Sequence, residues 1–175
     1  MFRIGIGHDT HRLVEGRLLV LGGQRIDFDR GAAGHSDGDA LCHALADAIL
    51  CALGEGDLGA HFPDSDPQWQ DADSLELLGH VAELMRGRGF QVVNADATIL
   101  LERPKLRDQI EAMRQALAVI LKVDSACVSV KAKTGEGLDA VGRGEAVTVQ
   151  AIVLIATDDV LPMKRVMTLR KGWAI

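Results

Sequence analysis

Residues 35–53 read HSDGDALCHALADAILCAL, and the period of this stretch orders the rest of the chain. Leu41, Leu45, Ala48 and Ala52 recur at the spacing that puts them on one face of an α-helix. Ser36 or Asp37 can cap its start, where the first backbone N–H groups lack partners, and Gly54 and Gly56 supply the stop. Asp39, His43 and Asp47 recur at i, i+4 and i+8 as a polar stripe roughly opposite the apolar one. Such a stripe is either a solvated helix face or one wall of a site.

Working outward, residues 3–9 predict a short strand, and RLLVLGGQRID (17–27) predicts two short strands joined at Gly22 and Gly23. Beyond the first helix, DSLELLGHVAELMRGRG (73–89) is again helical, with Leu75, Leu78, Ala82 and Met85 on one stripe and Asp73 or Ser74 as cap. FQVVNADATILL (90–101) has the β-branched richness of a strand, and PKLRDQIEAMRQALAVIL (104–121) returns to helical period through Ile110, Met113, Leu117 and Ile120. Strands follow at 127–133 and 145–155, with a glycine-rich loop between them. The order predicts one α/β (α+β) domain, a mixed β-sheet with helices packed mainly on one face. No fixed-period repeat or Pro/Ser-rich linker divides it, so we expect the domain over residues 1–157 and a C-terminal extension of unknown role over 158–175.

Composition narrows the function classes. The chain has 175 residues and is 47% hydrophobic and 25% charged, ordinary values for a folded domain. Nineteen Lys and Arg against 25 Asp and Glu give a net charge of −6, the wrong sign for a general nucleic-acid binder. Aromatic content of 3%, with no Tyr, argues against stacking surfaces for bases or sugars. Cys42, Cys51 and Cys127 form neither a disulfide framework nor a thiolate zinc spacing, which points to a reducing compartment. No segment approaches the ~18 apolar residues of a membrane span, so the expected setting is cytoplasmic.

Three stretches carry candidate chemistry. GIGHDTH (5–11) puts Asp9 and His11 two residues apart, on the same face of an extended segment. The pair reads as two metal ligands or as a polar strand end, and a metal needs a third ligand. His8, His11, His35 and His43 all lie in the first quarter of the chain, and a carboxylate with two imidazoles and one open position is the pattern of a catalytic zinc. GDLGAHFPDSDP (56–67) is acidic and rich in turn residues. KAKTGEGLDAVGRGE (131–145) places Lys131, Lys133, Thr134 and Arg143 among glycines that can wrap phosphates, with Glu136 able to hold a hard cation. It is not a Walker A loop, because Ala132 precedes Lys133 where that motif has Gly.

Together and in order, DTH, HSDGDALCHALADA, GDLGAHFPDSDP, ERPKL and GRGEA resemble the 2-C-methyl-D-erythritol 2,4-cyclodiphosphate synthase family over about Arg3 to Ile155. The resemblance implies that Asp9, His11 and His43 bind zinc, that His35 and Thr134 stabilise the transition state, and that Glu136 holds Mg or Mn on the diphosphate. It implies a substrate site that includes Asp9, His11, His35 and Ser36. The methylerythritol part of that site would be formed by Asp57, Leu58, Gly59, Phe62, Pro63, Asp64, Ser65 and Asp66. The cytidine loop would be Leu101, Glu102, Arg103, Pro104 and Lys105, with Lys133, Thr134, Gly135, Glu136 and Arg143 around the phosphates. It further implies a homotrimer with sites between subunits, and a central cavity near Arg143 and Glu145 that takes an isoprenoid diphosphate.

Three positions depart from the family pattern. Lys133 stands where many members carry Thr, Ala140 where a bulky Phe often lines the cavity, and His8 where an aromatic is common. The activity implied is ring closure of 4-diphosphocytidyl-2-C-methyl-D-erythritol 2-phosphate with release of CMP. A metallohydrolase and a catalytically silent nucleotide-binding trimer are the rival readings.

Overall fold

The structure, a computed structural model, describes residues 1–160; the rest of the expected C-terminal extension, 161–175, lies outside the described residues. Strand β1 (Phe2–Glu15) is followed by β2 (Leu19–Leu21), β3 (Gln24–Ile26) and β4 (Arg30–Ala32). Next come helices α1 (Ala40–Leu53), α2 (Leu58–His61) and α3 (Ser74–Gly87), then β5 (Phe90–Leu100), α4 (Ile110–Leu121), β6 (Val128–Lys133), α5 (Asp139–Gly142) and β7 (Ala146–Thr157). Among the described residues the main sheet runs β4-β1-β7-β5-β6, with β2 and β3 as a separate hairpin. Only β5 and β6 pair in parallel; β1 with β4, β1 with β7 and β5 with β7 are antiparallel, so the sheet is mixed as expected.

The first strand is longer than the expected 3–9. Its pairing with β7 runs unbroken from Phe2↔Ala156 to Arg12↔Ala146, and β4 takes over at Leu13 to Glu15. Along it, Gly5, Gly7 and Leu13 are buried against the helices while Phe2, Ile4, Ile6, His8, Thr10 and Arg12 are exposed. Asp9 and His11 have the buried-side parity.

Helix α1 lies directly on this strand. A Cβ added to Gly5 would meet the Ala48 carbonyl oxygen at 1.9 Å, and one added to Gly7 would meet that of Ala44 at 1.9 Å. The backbones therefore touch, and His43 beside Ala44 is held against the level of Asp9. This packing changes how α1 is read. Instead of one apolar stripe it buries residues on nearly every side, including Cys42, Leu45, Ile49 and Leu50, because β1 and β7 cover one side and α3 another.

The α1 cap is Asp39, not Ser36 or Asp37. Fully buried, its Oδ1 accepts the backbone N–H of Leu41 and Cys42, and its Oδ2 accepts that of Gly23 at 2.7 Å, which ties the β2-β3 turn to the helix start. Asp73 caps α3 as expected, but Leu77 and Val81 are buried there along with Leu78, Ala82 and Met85, and Leu75 only half so. The expected helix from 104 begins only at Ile110, since residues 104–109 form a loop. Short β4, α2 and α5 had no periodic signal to announce them.

Candidate active site

Asp9 and His11 arrive from β1 and His43 from α1, and their ligand atoms all lie within 4.8 Å of one another. His11 Nε2 is 2.9 Å from Asp9 Oδ2, His43 Nδ1 is 3.2 Å from the same oxygen, and the two ring nitrogens are 3.1 Å apart. The far nitrogen of each ring decides what faces inward. His11 Nδ1 is 2.7 Å from the Ala33 carbonyl, which can only accept, so Nδ1 carries the proton and Nε2 offers a lone pair. His43 Nε2 is taken up by serine hydroxyls, Ser74 Oγ at 2.9 Å and Ser36 Oγ at 3.2 Å, leaving Nδ1 to face Asp9.

Two imidazole nitrogens and a carboxylate oxygen therefore converge, an arrangement that calls for a cation or a shared proton at its centre. Burial would raise the Asp9 pKa, but once the imidazoles beside it carry that central proton, His11 first and then His43, they outweigh burial and hold the carboxyl far below its usual range. Burial likewise works against a charged His11, and the hydrogen bond to Asp9 overrides it, raising the His11 pKa above 6.5. The donor set of one carboxylate and two imidazoles suits a divalent metal.

These three side chains line one end of a cavity of about 370 Å³. His35 and Ser36 reach it from the loop before α1, and Asp57, Leu58 and Gly59 from the start of α2. Phe62, Asp64, Trp69 and Leu77 complete the wall, together with Gly34 and Asp47. His35 lines the cavity, and its Nε2 is buried with no hydrogen-bond partner among the described residues. Asp47, from the stripe first read as a solvated face or a wall, is half-buried and accepts the Leu58 N–H at 2.7 Å, so it anchors α2 to α1. Its pKa is raised by burial, with the Leu58 N–H opposing and Asp57 and Asp9 adding. Pro63, Ser65 and Asp66 do not line this cavity, and Asp66 instead caps the turn at Gln68.

The other expected residues gather elsewhere. Leu101, Pro104, Lys105, Lys133 and Thr134 line a second cavity of about 730 Å³, which has no lining residue in common with the first. Nearby, Glu102 Oε2 accepts the Gly135 N–H at 3.0 Å and Thr134 Oγ1 donates to Glu136 Oε1 at 2.6 Å, while Arg103 is exposed. Arg143 and Glu145 form an exposed two-bond ion pair at 3.0 Å, and Glu145 with Ala140 borders a further cavity of about 580 Å³. Within one chain the cavity lined by Lys133 and Thr134 is thus separate from that of the metal corner. Sequence reasoning missed Trp69 and Leu77 as lining residues. It also took Ser74 and Asp37 only as possible caps, where Ser74 touches His43.

A mixed sheet with helices on one face and a carboxylate–imidazole corner define a class: residues 2–156 match the YgbB family model, and the chain belongs to that family. Its relatives carry a specific name. The chain is 54% identical over 155 residues to the 2-C-methyl-D-erythritol 2,4-cyclodiphosphate synthase of Geobacillus kaustophilus, covering 89% of this chain and 98% of that one. It is 56% identical over 153 residues to the synthase of the same name from Salinibacter ruber, covering 87% and 98%. A solved CDP-bound structure of a synthase of this name matches with a TM-score of 0.82 at 41% identity, over 88% of this chain and all of that one.

Proposed function

We propose that this chain is the enzyme that closes 4-diphosphocytidyl-2-C-methyl-D-erythritol 2-phosphate to 2-C-methyl-D-erythritol 2,4-cyclodiphosphate with release of CMP, the cyclisation step of non-mevalonate isoprenoid synthesis. The observation that carries the reading is the convergence of Asp9, His11 and His43 at one end of a cavity, in a chain whose curated relatives bear that activity.

Nucleophile and electrophile are both phosphates, so charge repulsion is the first obstacle. Zinc held by Asp9, His11 and His43, with Mg or Mn at Glu136, would neutralise phosphate charge and stabilise the transferring phosphorus. His35, with its unpartnered Nε2, and the Thr134 hydroxyl are the transition-state donors. Asp57, Leu58, Gly59, Phe62 and Asp64 orient the methylerythritol, and the loop from Leu101 to Lys105 takes the cytidine. Attack within one molecule gains on the order of 7–11 kcal/mol when oxygen and phosphorus are held in line, and a phosphate nucleophile needs no general base.

The working unit in this reading is a homotrimer with sites between subunits. Two features support it: the metal corner and the Lys133–Thr134 loop border cavities with no lining residue in common, and the sheet face away from the helices is apolar and open. Phe2, Ile4, Ile6 and Ile152 there are 56%, 70%, 63% and 45% exposed, a patch of the kind that marks an interface. A central cavity beside Arg143 and Glu145 follows from that assembly. The catalytic domain is 1–157 and 158–175 is appended to it. No helix among the described residues is long and apolar enough to cross a membrane, and we place the enzyme in the cytoplasm.

Incubation with the inferred substrate, with and without chelator, tests the reading. Metal-dependent release of CMP with a cyclic diphosphate in the phosphorus NMR spectrum is expected. Open-chain phosphates would indicate a hydrolase instead.

A further inference from the structure

We infer that Asp37 and Ser74 are positioning residues that fix which nitrogen of His43 faces the metal corner. The inference rests on the reading of Asp9, His11 and His43 as metal ligands. Ser74, the first residue of α3, is fully buried, and its hydroxyl has one proton to give. Asp37 accepts only. Its Oδ1 sits in close hydrogen-bond contact with Ser74 Oγ, and its Oδ2 is 3.3 Å from the Ser74 backbone N–H. The single proton of Ser74 therefore goes to Asp37, and the hydroxyl oxygen, 2.9 Å from His43 Nε2, is left to accept.

His43 is thereby held with Nε2 protonated and its Nδ1 lone pair turned toward Asp9. The opposite tautomer would aim an N–H at the position a cation must occupy, and the ring would repel the metal it is meant to bind. Ser36 Oγ is a secondary partner at 3.2 Å, already accepting the Gly38 N–H at 3.2 Å. Asp37 is itself held in place: its backbone N–H donates to the Ala72 carbonyl at 3.1 Å, and its Oδ1 accepts the Asp39 N–H at 3.2 Å. The relay thus joins the loop before α1 to the first turn of α3, two elements that approach only in the folded chain.

Long-range proton–nitrogen NMR of the wild-type, metal-free protein in alkaline buffer reads the tautomer directly. His43 protonated at Nε2 is expected, and a proton on Nδ1 overturns the inference. Chelator competition then gives zinc affinity for the wild type, Ser74→Ala and Asp37→Asn. Both substitutions are expected to weaken binding by roughly 10–100-fold, Ser74→Ala toward the lower end because Ser36 remains, and to raise the Nδ1-protonated fraction of His43. Unchanged zinc affinity in both variants overturns this inference alone. A wild-type protein that takes up no zinc overturns the metal reading and this inference with it.

Discussion

The metal corner and the Lys133–Glu136 loop are both assigned to one reaction, yet they are built in opposite ways. At the corner every side chain is half-buried or deeper and held from behind: His11 by the Ala33 carbonyl, His43 by two serines, Asp9 by both imidazoles. In the loop, Lys133 and Glu136 are exposed, and the Thr134 hydroxyl is spent on Glu136. One region has its side chains paired from behind within a single chain, and the other leaves its side chains exposed or paired only with one another.

His43→Ala tests the paired half and has the largest expected effect. Because the residue stands outside the apolar core cluster, the fold is retained, while zinc content and nearly all turnover disappear. The loss should exceed the roughly 10–100-fold in affinity that removal of an outer hydrogen-bond partner costs. Metal analysis and a CMP assay on the folded variant decide it, and full activity without metal would break the contrast. Ile6→Asp probes the other half by placing a charge on the open sheet face. Sedimentation is expected to show monomers with little turnover, yet with zinc affinity close to wild type, since Ile6 points away from the corner. Zinc lost together with assembly would mean that the corner is not finished within one chain.

Thr134→Ala is expected to lower turnover by about 10²–10³-fold, the cost of one transition-state donor, with metal content unchanged. A matched fall in both would place Thr134 with the corner instead. The difference matters because residue 134 lies in the cavity that the metal corner does not border.

The same contrast governs what could be read from the chain. Asp9 and His11 were legible as a converging pair because two-residue alternation is a local property of a strand. His43 was not assignable from periodicity: its stripe with Asp39 and Asp47 looks the same whether water or protein covers it. Backbone contact at Gly5 and Gly7 with Ala48 and Ala44, which no local pattern records, decides the matter. Asp37 and Ser74 stand 37 positions apart and each looks like a helix cap, so their joint role exists only in the packed structure. The elements missed, β4, α2 and α5, are three or four residues long, too short to display a period. The helix boundary at Ile110 was misplaced because residues 105–109 favour a helix in isolation, yet Leu106 is buried in the core from within a loop that runs on to residue 109. The intersubunit reading came from family resemblance, and the open face of Ile4, Ile6 and Ile152 is its first physical support.

The smallest expected effect concerns the proton that competes with the metal. With the His11 pKa raised by its hydrogen bond to Asp9 against the opposing effect of burial, that ring stays protonated to higher pH than a free imidazole with a value near 6.5. Zinc needs the Nε2 lone pair, so its affinity should begin to fall, as pH is lowered, from above that value. In the metal-free protein the sign is reversed. A folded-state pKa above the unfolded one contributes stability that is fully present below the unfolded value and is lost as pH rises through the folded value. The depressed Asp9 pKa acts in a separate window: its contribution is present above the unfolded carboxyl value and is lost only as pH falls through the folded one, well into acid. Thermal unfolding from about pH 6 to 9, spanning the imidazole range, should show the metal-free protein losing stability with rising pH and the stabilisation by zinc growing. If the two forms ran parallel, His11 would not be the group that exchanges a proton for the metal.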